Sequence, residues 1–496
     1  MPKRRITVIV PSLKALDRSR GNLGRQLAQH LREAIVSGEL KPGERLPSTR
    51  TLAVSLGLAR GTVAQAFDQL AAEGYLDARV GAGTRVTADL QAGSMFAPVS
   101  PGRPATLEEP LPAAAVRLAG LVQSLVPQPP IPFAVAIPAA GIEPDDTWRR
   151  VGNRVRASGR AAPSTYADPH GLLELRTAIA THVRRARAVH CSPDNVIVTS
   201  GTQQGLSMAA RVLLSRGETV WAEDPTYPGL TAVLDDLDLQ THRVPVDEQG
   251  FDVGAAWAAS PDARAAFVTP SHQYPVGMPL SMSRRQALVG WAQQNRTWIV
   301  EDDYDSELRY AGHPFPAIQG LSPSRVIYLG TFSKVLFPSL RLGYVIAPSQ
   351  LVDAFAGARA ILDRHSPLTD QHLLAAYMND GFFEAHVRRI RGLYAERRAV
   401  LLAALSQGLP DGCEIQPSDQ GMHILLWLPS GADDVRLAKL ARNMEIAVRP
   451  ISPMYAEPPG RPGLMLGFGG FRPERLVEAS GHLLSLLASH NPWIEK

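Results

Sequence analysis

The sequence predicts two units of different class: a small N-terminal α+β unit of three helices and a hairpin, and a large α/β unit on a mainly parallel sheet. Three observations predict this. Over residues 20–88 a four-residue apolar period gives way to a glycine-rich hairpin pattern. Nine prolines crowd residues 89–132. From residue 133 onward short apolar strands alternate with helical segments, the pattern of a parallel sheet covered on both faces. The length of 496 residues exceeds what one core usually serves, so two or more domains are expected. With 45% hydrophobic and 20% charged residues the chain is neither disordered nor fibrous.

Residues 1–19 read as a basic tail. Leu23, Leu27, Leu31 and Ile35 make one face of a first helix, which Gly38 ends. Ser48 caps a second helix, TRTLAVSL, closed by Gly57. A third runs from about Arg60 to Glu73, with Val63, Ala66, Phe67 and Leu70 inward, and Gly74 stops it. YLDARVGAGTRV then reads as two strands around Gly81-Ala82-Gly83. The proline-rich residues 89–132 read as a linker with a helix around Ala113–Leu125. NVIVTSG, ETVWAED, AAFVTPS, TWIVEDDY, RVIYLGTFSK and RLGYVIA are the strands of residues 133–496, and roughly 375–496 suits a smaller α+β subdomain.

Charge and cysteine content narrow the function. Residues 1–90 hold 14 Lys and Arg against 8 Asp and Glu, whereas the other 406 residues hold 37 against 39. The basic excess is N-terminal, where it attracts polyanions, nucleic acid first. Cys191 and Cys413 alone exclude a disulfide framework, a zinc finger or an iron–sulfur site, and no metal is expected. No apolar run approaches the ~20 residues of a membrane span, and the apolar stretch of MPKRRITVIVPSLK is too short for a secretory leader. A cytoplasmic protein is expected.

Three helices and a β-turn-β wing are the parts of a winged helix-turn-helix. SGELKPGERLPSTRTLAVSLGLARGTVAQAFDQLAAEGYLDARVGAGTRV resembles the GntR-type DNA-binding domain over nearly its whole length. A helix N-terminus beside an arginine aims donors at phosphate, and side chains just inside the helix reach base edges. Arg50, Arg60, Thr62 and Gln65 occupy those places, and Arg79 and Arg85 flank the wing. A plain salt bridge is the competing reading for Arg50 or Arg60. Ala59 departs from the family, which usually has a serine cap there.

In YLGTFSKVLFPSLRLGY a lysine follows a hydroxyl-rich turn and an arginine comes seven residues later. That suits an imine site for a phosphorylated aldehyde. Lys334 is the Schiff-base lysine, since a desolvated amine loses its proton readily. Arg341 grips phosphate, and Thr331 and Ser333 offer hydroxyls. SGTQQG opens a helix after a strand, so Gly201, Thr202 and Gln203 can cradle the phosphate. EDPTYPG sets Tyr227 to stack on a planar ring. In IVEDDYDSE, Asp302 faces a pyridinium nitrogen, with Asp303 as runner-up, and Tyr304 takes the ring oxygen. TPSHQYPVG supplies His272 and Gln273 near the same rim. Singly these motifs also read as core, solvated strand ends or an exposed basic patch.

Together they resemble fold-type-I, aspartate-aminotransferase-like proteins that bind pyridoxal 5′-phosphate (PLP). YADPHGLLELR, with Tyr166, Gly171 and Arg176, matches the early segment of that family. The resemblance implies that Tyr166 reaches the neighbouring subunit's cofactor phosphate, hence a homodimer with shared sites. A GntR-like reader fused to such a domain is the layout of the MocR family of bacterial regulators, and HQYP, EDDYDSE and GTFSK are typical of it. The resemblance implies a regulator that binds promoter DNA and senses PLP, for vitamin B6 homeostasis, or an amino compound reacting with it, such as GABA or taurine. No catalytic residue is expected beyond Lys334, and a residual half-transamination stays open. An aminotransferase needs an arginine for the substrate carboxylate, and in GLMLGFGG Met465 stands in that slot, with Arg449 or Arg461 as compensators. An effector without an α-carboxylate, or PLP itself, is therefore favoured, and PLP sensing is ranked above sensing an amine or amino acid. The alternatives are a working aminotransferase with a DNA-binding extension, and an N-terminal unit that binds protein instead of DNA.

Overall fold

The computed structural model describes residues 16–79, 83–88, 110–138, 146–160, 163–310, 312–416 and 418–489. The chain divides at Ala113 into two compact units. Most of the basic tail, the wing tip Gly81–Ala82, the Arg79 side chain and residues 89–109 of the expected linker lie outside the described residues.

In the first unit α1 (Leu23–Val36), α2 (Thr49–Leu56) and α3 (Arg60–Ala72) precede the antiparallel pair β1 (Leu76–Arg79) and β2 (Gly83–Val86). The apolar stripes read from the sequence meet in one core. Leu27, Leu31 and Ile35 of α1 bury against Leu52 of α2 and Val63, Phe67 and Leu70 of α3, while Leu23 is only half-buried. The Ser48 hydroxyl accepts the Thr51 N–H at 3.2 Å and caps α2. Gly57 turns the chain out of α2 in the left-handed region, φ 63°, where glycine carries no Cβ penalty. Ala59 leaves α3 without a side-chain cap; a serine there is worth ~1 kcal/mol.

The second unit begins with α4 (Ala113–Leu125), α5 (Asp146–Ala157) and α6 (Leu173–Arg187). There follow β3 (Val196–Thr199), α7 (Thr202–Leu213), β4 (Thr219–Asp224), α8 (Pro228–Asp236), β5 (Gln240–Asp247), β6 (Gly250–Phe251) and α9 (Val253–Ala259). Next come β7 (Ala265–Val268), α10 (Met282–Asn295), β8 (Trp298–Asp303), β9 (Val326–Thr331) and β10 (Gly343–Ile346). All six strings read as strands are strands. They form an eight-stranded sheet in the order β3-β10-β9-β8-β7-β4-β5-β6. β9, β8, β7, β4 and β5 run parallel to one another, β10 runs antiparallel to both β3 and β9, and β6 runs antiparallel to β5. Alternate residues feed opposite layers. Val300, Ile327 and Leu329 pack with Leu206 and Ala209 of α7, whereas Ile299 and Val326 pack with Leu288 and Trp291 of α10.

The chain ends with α11 (Val352–Asp363), α12 (Leu368–Asn379), α13 (Phe382–Leu405), β11 (Glu414–Ile415), β12 (His423–Trp427), α14 (Asp434–Asn443), β13 (Arg449–Pro450), β14 (Gly463–Gly467) and α15 (Pro473–Ser489). Four of these strands make an antiparallel sheet, β11-β12-β14-β13. The last residues of the proline-rich segment are built into this region. The Gln128 side-chain amide donates to the carbonyls of Ala447 (3.1 Å) and Val448 (3.0 Å), and Ala447 N–H donates to Pro132 O at 2.8 Å. Prolines lack a donor but still accept, so a run that cannot form a helix can be anchored through its carbonyls.

Candidate functional site

Parallel strands leave their carboxyl ends open to a crevice, which loops of different origin line. Here the crevice holds a cavity of about 180 Å³. Tyr227 enters it just after β4, Thr269 and Tyr274 after β7, Asp302 and Tyr304 at the end of β8, and Lys334 after β9. The C-terminal sheet contributes His423 from β12 and Arg449 from β13, and Thr202 enters from the start of α7.

Strand alternation separates the two aspartates of β8. Asp302 shares its face with Val300 and opens into the cavity, where its Oδ1 is buried with no hydrogen-bond partner. Burial, then the charge of Asp303, raises its pKa to about 7. Asp303 points the other way and pairs with Arg187 Nε at 2.8 Å, while the Tyr328 hydroxyl donates to the same oxygen. The runner-up is therefore a core ion-pair member. Lys334 is partly buried, and burial lowers its pKa against the opposing pull of Asp305. Tyr227 is raised to about 12, chiefly by burial, and stands edge-on to Tyr274 with centroids 5.7 Å apart.

Gly201 precedes α7 at φ 111°, and a Cβ there would sit 3.5 Å from the Arg341 guanidinium. No side chain caps α7, so its first amides and the exposed Arg341 form a positive cradle. The Arg341 guanidinium has no hydrogen-bond or ion-pair partner among the described residues. Thr331 Oγ1 accepts the Ser333 N–H at 3.2 Å, and the Ser333 hydroxyl is buried without a partner. Gln203 Nε2 donates to Gly229 O at 2.9 Å, while its Oε1 is buried without a partner.

Two expected rim residues lie off the cavity. His272 is buried, its Nδ1 2.8 Å from Asp305 and 3.1 Å from the Tyr304 hydroxyl. Gln273 is buried in a knot with Glu223, Pro225 O and Tyr274 O. Glu223, raised to about 7 by burial, also accepts from Thr269 N and Oγ1. This knot ties the loop carrying Tyr227 to the loop carrying Tyr274. Tyr166 is 79% exposed, with Arg364 over its ring at 5.1 Å. Gly171 is required by packing, since a Cβ would meet Val198 at 2.5 Å. Arg176 is buried and donates to Pro193 O.

Thr269, Tyr274 and His423 were not singled out from the sequence. Tyr274 lies inside the HQYP string and was within reach. His423 is more than 80 residues from any other cofactor motif and carries no local signal. Burial lowers its pKa to about 3, which keeps it neutral.

In the first unit Arg50, Arg60 and Gln65 are exposed, and neither arginine has an ion-pair partner among the described residues. The salt-bridge reading has no support there. Arg85 is exposed and donates to Gly43 O at 3.1 Å. Thr62 is half-buried, where α3 passes Gly24 of α1.

Residues 23–86 match the bacterial regulatory proteins of the gntR family, and residues 140–464 match aminotransferase class I and II. The probable rhizopine catabolism regulatory protein MocR of Rhizobium meliloti is 37% identical over 93% of both chains. The chain belongs to the MocR family of transcriptional regulators. Another such regulator, the HTH-type pyridoxine biosynthesis regulator PdxR of Corynebacterium glutamicum, is 35% identical over 90% of this chain and 91% of its own. The solved α-aminoadipate aminotransferase LysN of Thermus thermophilus, complexed with N-(5′-phosphopyridoxyl)-L-leucine, superposes with a TM-score of 0.71. It is 26% identical, and the match covers 77% of this chain and 98% of that one. No helix among the described residues is long and apolar enough to cross a membrane.

The MocR-family cavity fits PLP by its own chemistry. Asp302 Oδ1 is an acceptor lacking a donor, as a protonated ring nitrogen would supply. The Gly201–Arg341 cradle is an anion site, Tyr227 offers a ring face, and Lys334 an amine of lowered pKa. Met465 is fully buried in an apolar cluster with Val135, Leu425 and Ile451 and does not line the cavity. Arg461 is engaged with Glu414 at 2.9 Å. Arg449 alone of the two compensators reaches the cavity.

Proposed function

We propose that this regulator holds PLP in the cavity of its large unit and that its affinity for promoter DNA changes when PLP, or an amine reacting with it, is present. The observation that carries this is the convergence of Lys334, Asp302 and Tyr227 on one cavity beside the Gly201–Arg341 cradle. When bound, PLP supplies an aldehyde that captures primary amines. Lys334, deprotonated more readily through burial, is the resident amine. Asp302 holds a proton on the ring nitrogen, Tyr304 contacts the ring oxygen and Tyr227 covers a ring face. Arg341, the α7 amides, Thr202 and Ser333 hold the phosphate. Thr331 fixes the turn that presents Ser333. His272 orients Tyr304, and Gln273 orients the two tyrosine loops. Arg50, Arg60, Gln65, Arg79 and Arg85 contact DNA. Tyr166 is exposed because its partner is a second subunit, as in a homodimer with shared sites. The protein works in the cytoplasm, as a sensor and not as a turnover enzyme.

Coupling the two units needs a free energy of about 1–3 kcal/mol. Fluorescence anisotropy of labelled DNA from upstream of the chain's own gene, with and without PLP, tests the reading. A PLP-dependent change in affinity is expected. Lys334→Ala is expected to lose both the visible absorbance and the response; a variant that responds as wild type would refute the role of Lys334. A working aminotransferase is the second reading, favoured by Arg449 in the cavity. Sustained conversion of an amino acid in the presence of a 2-oxo acid would establish it.

A further inference from the structure

Arg449 and Met465 are direct cross-strand partners on β13 and β14. Directly opposed residues of an antiparallel pair share a face, their Cα atoms ~4.5–5.5 Å apart. The position that lost a charge, relative to an aminotransferase, is thus flanked one strand away by a residue that carries one. Met465 sinks into the apolar layer, while Arg449 lines the cavity.

Arg449 is half-buried, and among the described residues its guanidinium has no hydrogen-bond or ion-pair partner. Three of the other buried or half-buried arginines of this unit pair with a carboxylate, Arg187 with Asp303, Arg243 with Asp224 and Arg359 with Asp363, and Arg285 is held by the carbonyls of Leu280, Pro270 and Pro316. A partly desolvated cation without a counter-charge is costly to keep, and a ligand anion relieves the cost. The phosphate cradle is built separately around Gly201 and Arg341. Among the described residues Asp302 is the only carboxylate lining the cavity, and it makes no ion pair with Arg449. His423, held neutral, adds no competing charge. Arg449 also lies near enough to Lys334 to help lower the lysine's pKa, after burial. A ligand joined to the chemistry at Lys334 is therefore within reach of its field.

We propose that Arg449 is the carboxylate-binding residue of the effector site, and that the effector is a primary amine that also bears a carboxylate, an amino acid. This rests on the proposed function and chooses between its two effectors. The planar guanidinium fork donates two parallel hydrogen bonds to a carboxylate, which a methionine at 465 cannot do. The proposal departs from the expectation drawn from Met465 alone, an effector without an α-carboxylate or PLP itself, because the register sets Arg449 beside Met465.

The test uses the full-length protein loaded with PLP and follows its visible absorbance. Glycine, 3-aminopropanoate and 4-aminobutyrate are titrated against methylamine, ethylamine and propylamine, the same skeletons without the carboxylate. At least one amino acid is expected to act at a concentration roughly 10- to 100-fold below its matched amine, the range of charge-assisted hydrogen bonds. In Arg449→Met the ratio is expected to fall to near unity, and in Arg449→Lys to an intermediate value. Because each variant is read as its own ratio, altered cofactor seating cancels. Propanoate provides a second measurement that needs no variant: it is expected to compete with the amino acid and not with the amine. Wild-type protein that reacts equally with acid and amine, or an undiminished preference in Arg449→Met, would overturn the proposal while leaving the PLP reading intact. No absorbance band on adding PLP would instead overturn that reading, and this inference with it.

Discussion

At Asp302 burial sets a carboxyl where the cavity needs a proton-sharing partner. Its pKa rises from 3.8 to about 7. Without cofactor, the folded chain holds this proton up to about pH 7, while the unfolded chain releases it near 4. Folding therefore takes up a proton in that window. The contribution to stability is complete below the unfolded pKa and is lost as pH rises through about 7. Glu223 and Glu301, also raised to about 7 by burial, act in the same sense. His423, lowered to about 3, acts oppositely and destabilises as pH falls below its unfolded value. Asp302→Asn removes one of these contributions alone. The fall in Tm of the cofactor-free protein between about pH 5 and 8 is expected to be shallower in the variant. Parallel Tm profiles would show that the carboxyl does not titrate in that range.

At the scale of elements, the cavity depends on the close approach of β3, β9 and β10. A Cβ on Gly343, the first residue of β10, would lie 2.7 Å from Gly330 O of β9 and 2.8 Å from Gly201 Cα. Both obstacles are backbone and cannot swing aside. Gly343→Ala must therefore part the strands or displace the Gly201 turn that faces Arg341. Overpacking of this kind costs about 1–3 kcal/mol. A lower Tm together with weaker PLP uptake is expected. Calorimetry and an absorbance titration on one preparation check both, and an unchanged Tm would mean the strands yield without cost. The same element scale explains Asp303. Successive residues of β8 alternate sides, so once Val300 faces α7, Asp302 must follow it and Asp303 must meet Arg187.

Across the whole molecule, charge is divided between the units. The first 90 residues carry the basic excess and the rest are nearly balanced. DNA affinity is expected to fall steeply with salt, by ~0.9 in log–log slope for each phosphate neutralised. Arg60→Ala is expected to reduce that slope by about 1 if the arginine meets a phosphate, and to relax one base position if it meets a base edge. A slope near zero in wild-type protein would favour a protein-binding winged helix. Anisotropy titrations at several salt concentrations decide between these outcomes.

The short-range features of this chain were legible in its sequence. The α1 and α3 stripes, the Ser48 and Gly57 caps, the strands, and the seven-residue spacing of Lys334 and Arg341 are set by residues close along the chain. They obey the helix and strand periods whatever surrounds them. The family followed from such local strings, because each motif sits on one turn or one strand end. Tertiary structure alone decided the rest. It turned Gln273 inward to Glu223, left Tyr166 on the surface, and anchored Gln128 against Ala447 and Val448. It brought His423 and Arg449, each far along the chain from Lys334, to the same cavity. Interstrand register made Arg449 the neighbour of Met465. Register is a long-range property, fixed by which apolar faces close on one another, and no spacing within a single segment encodes it.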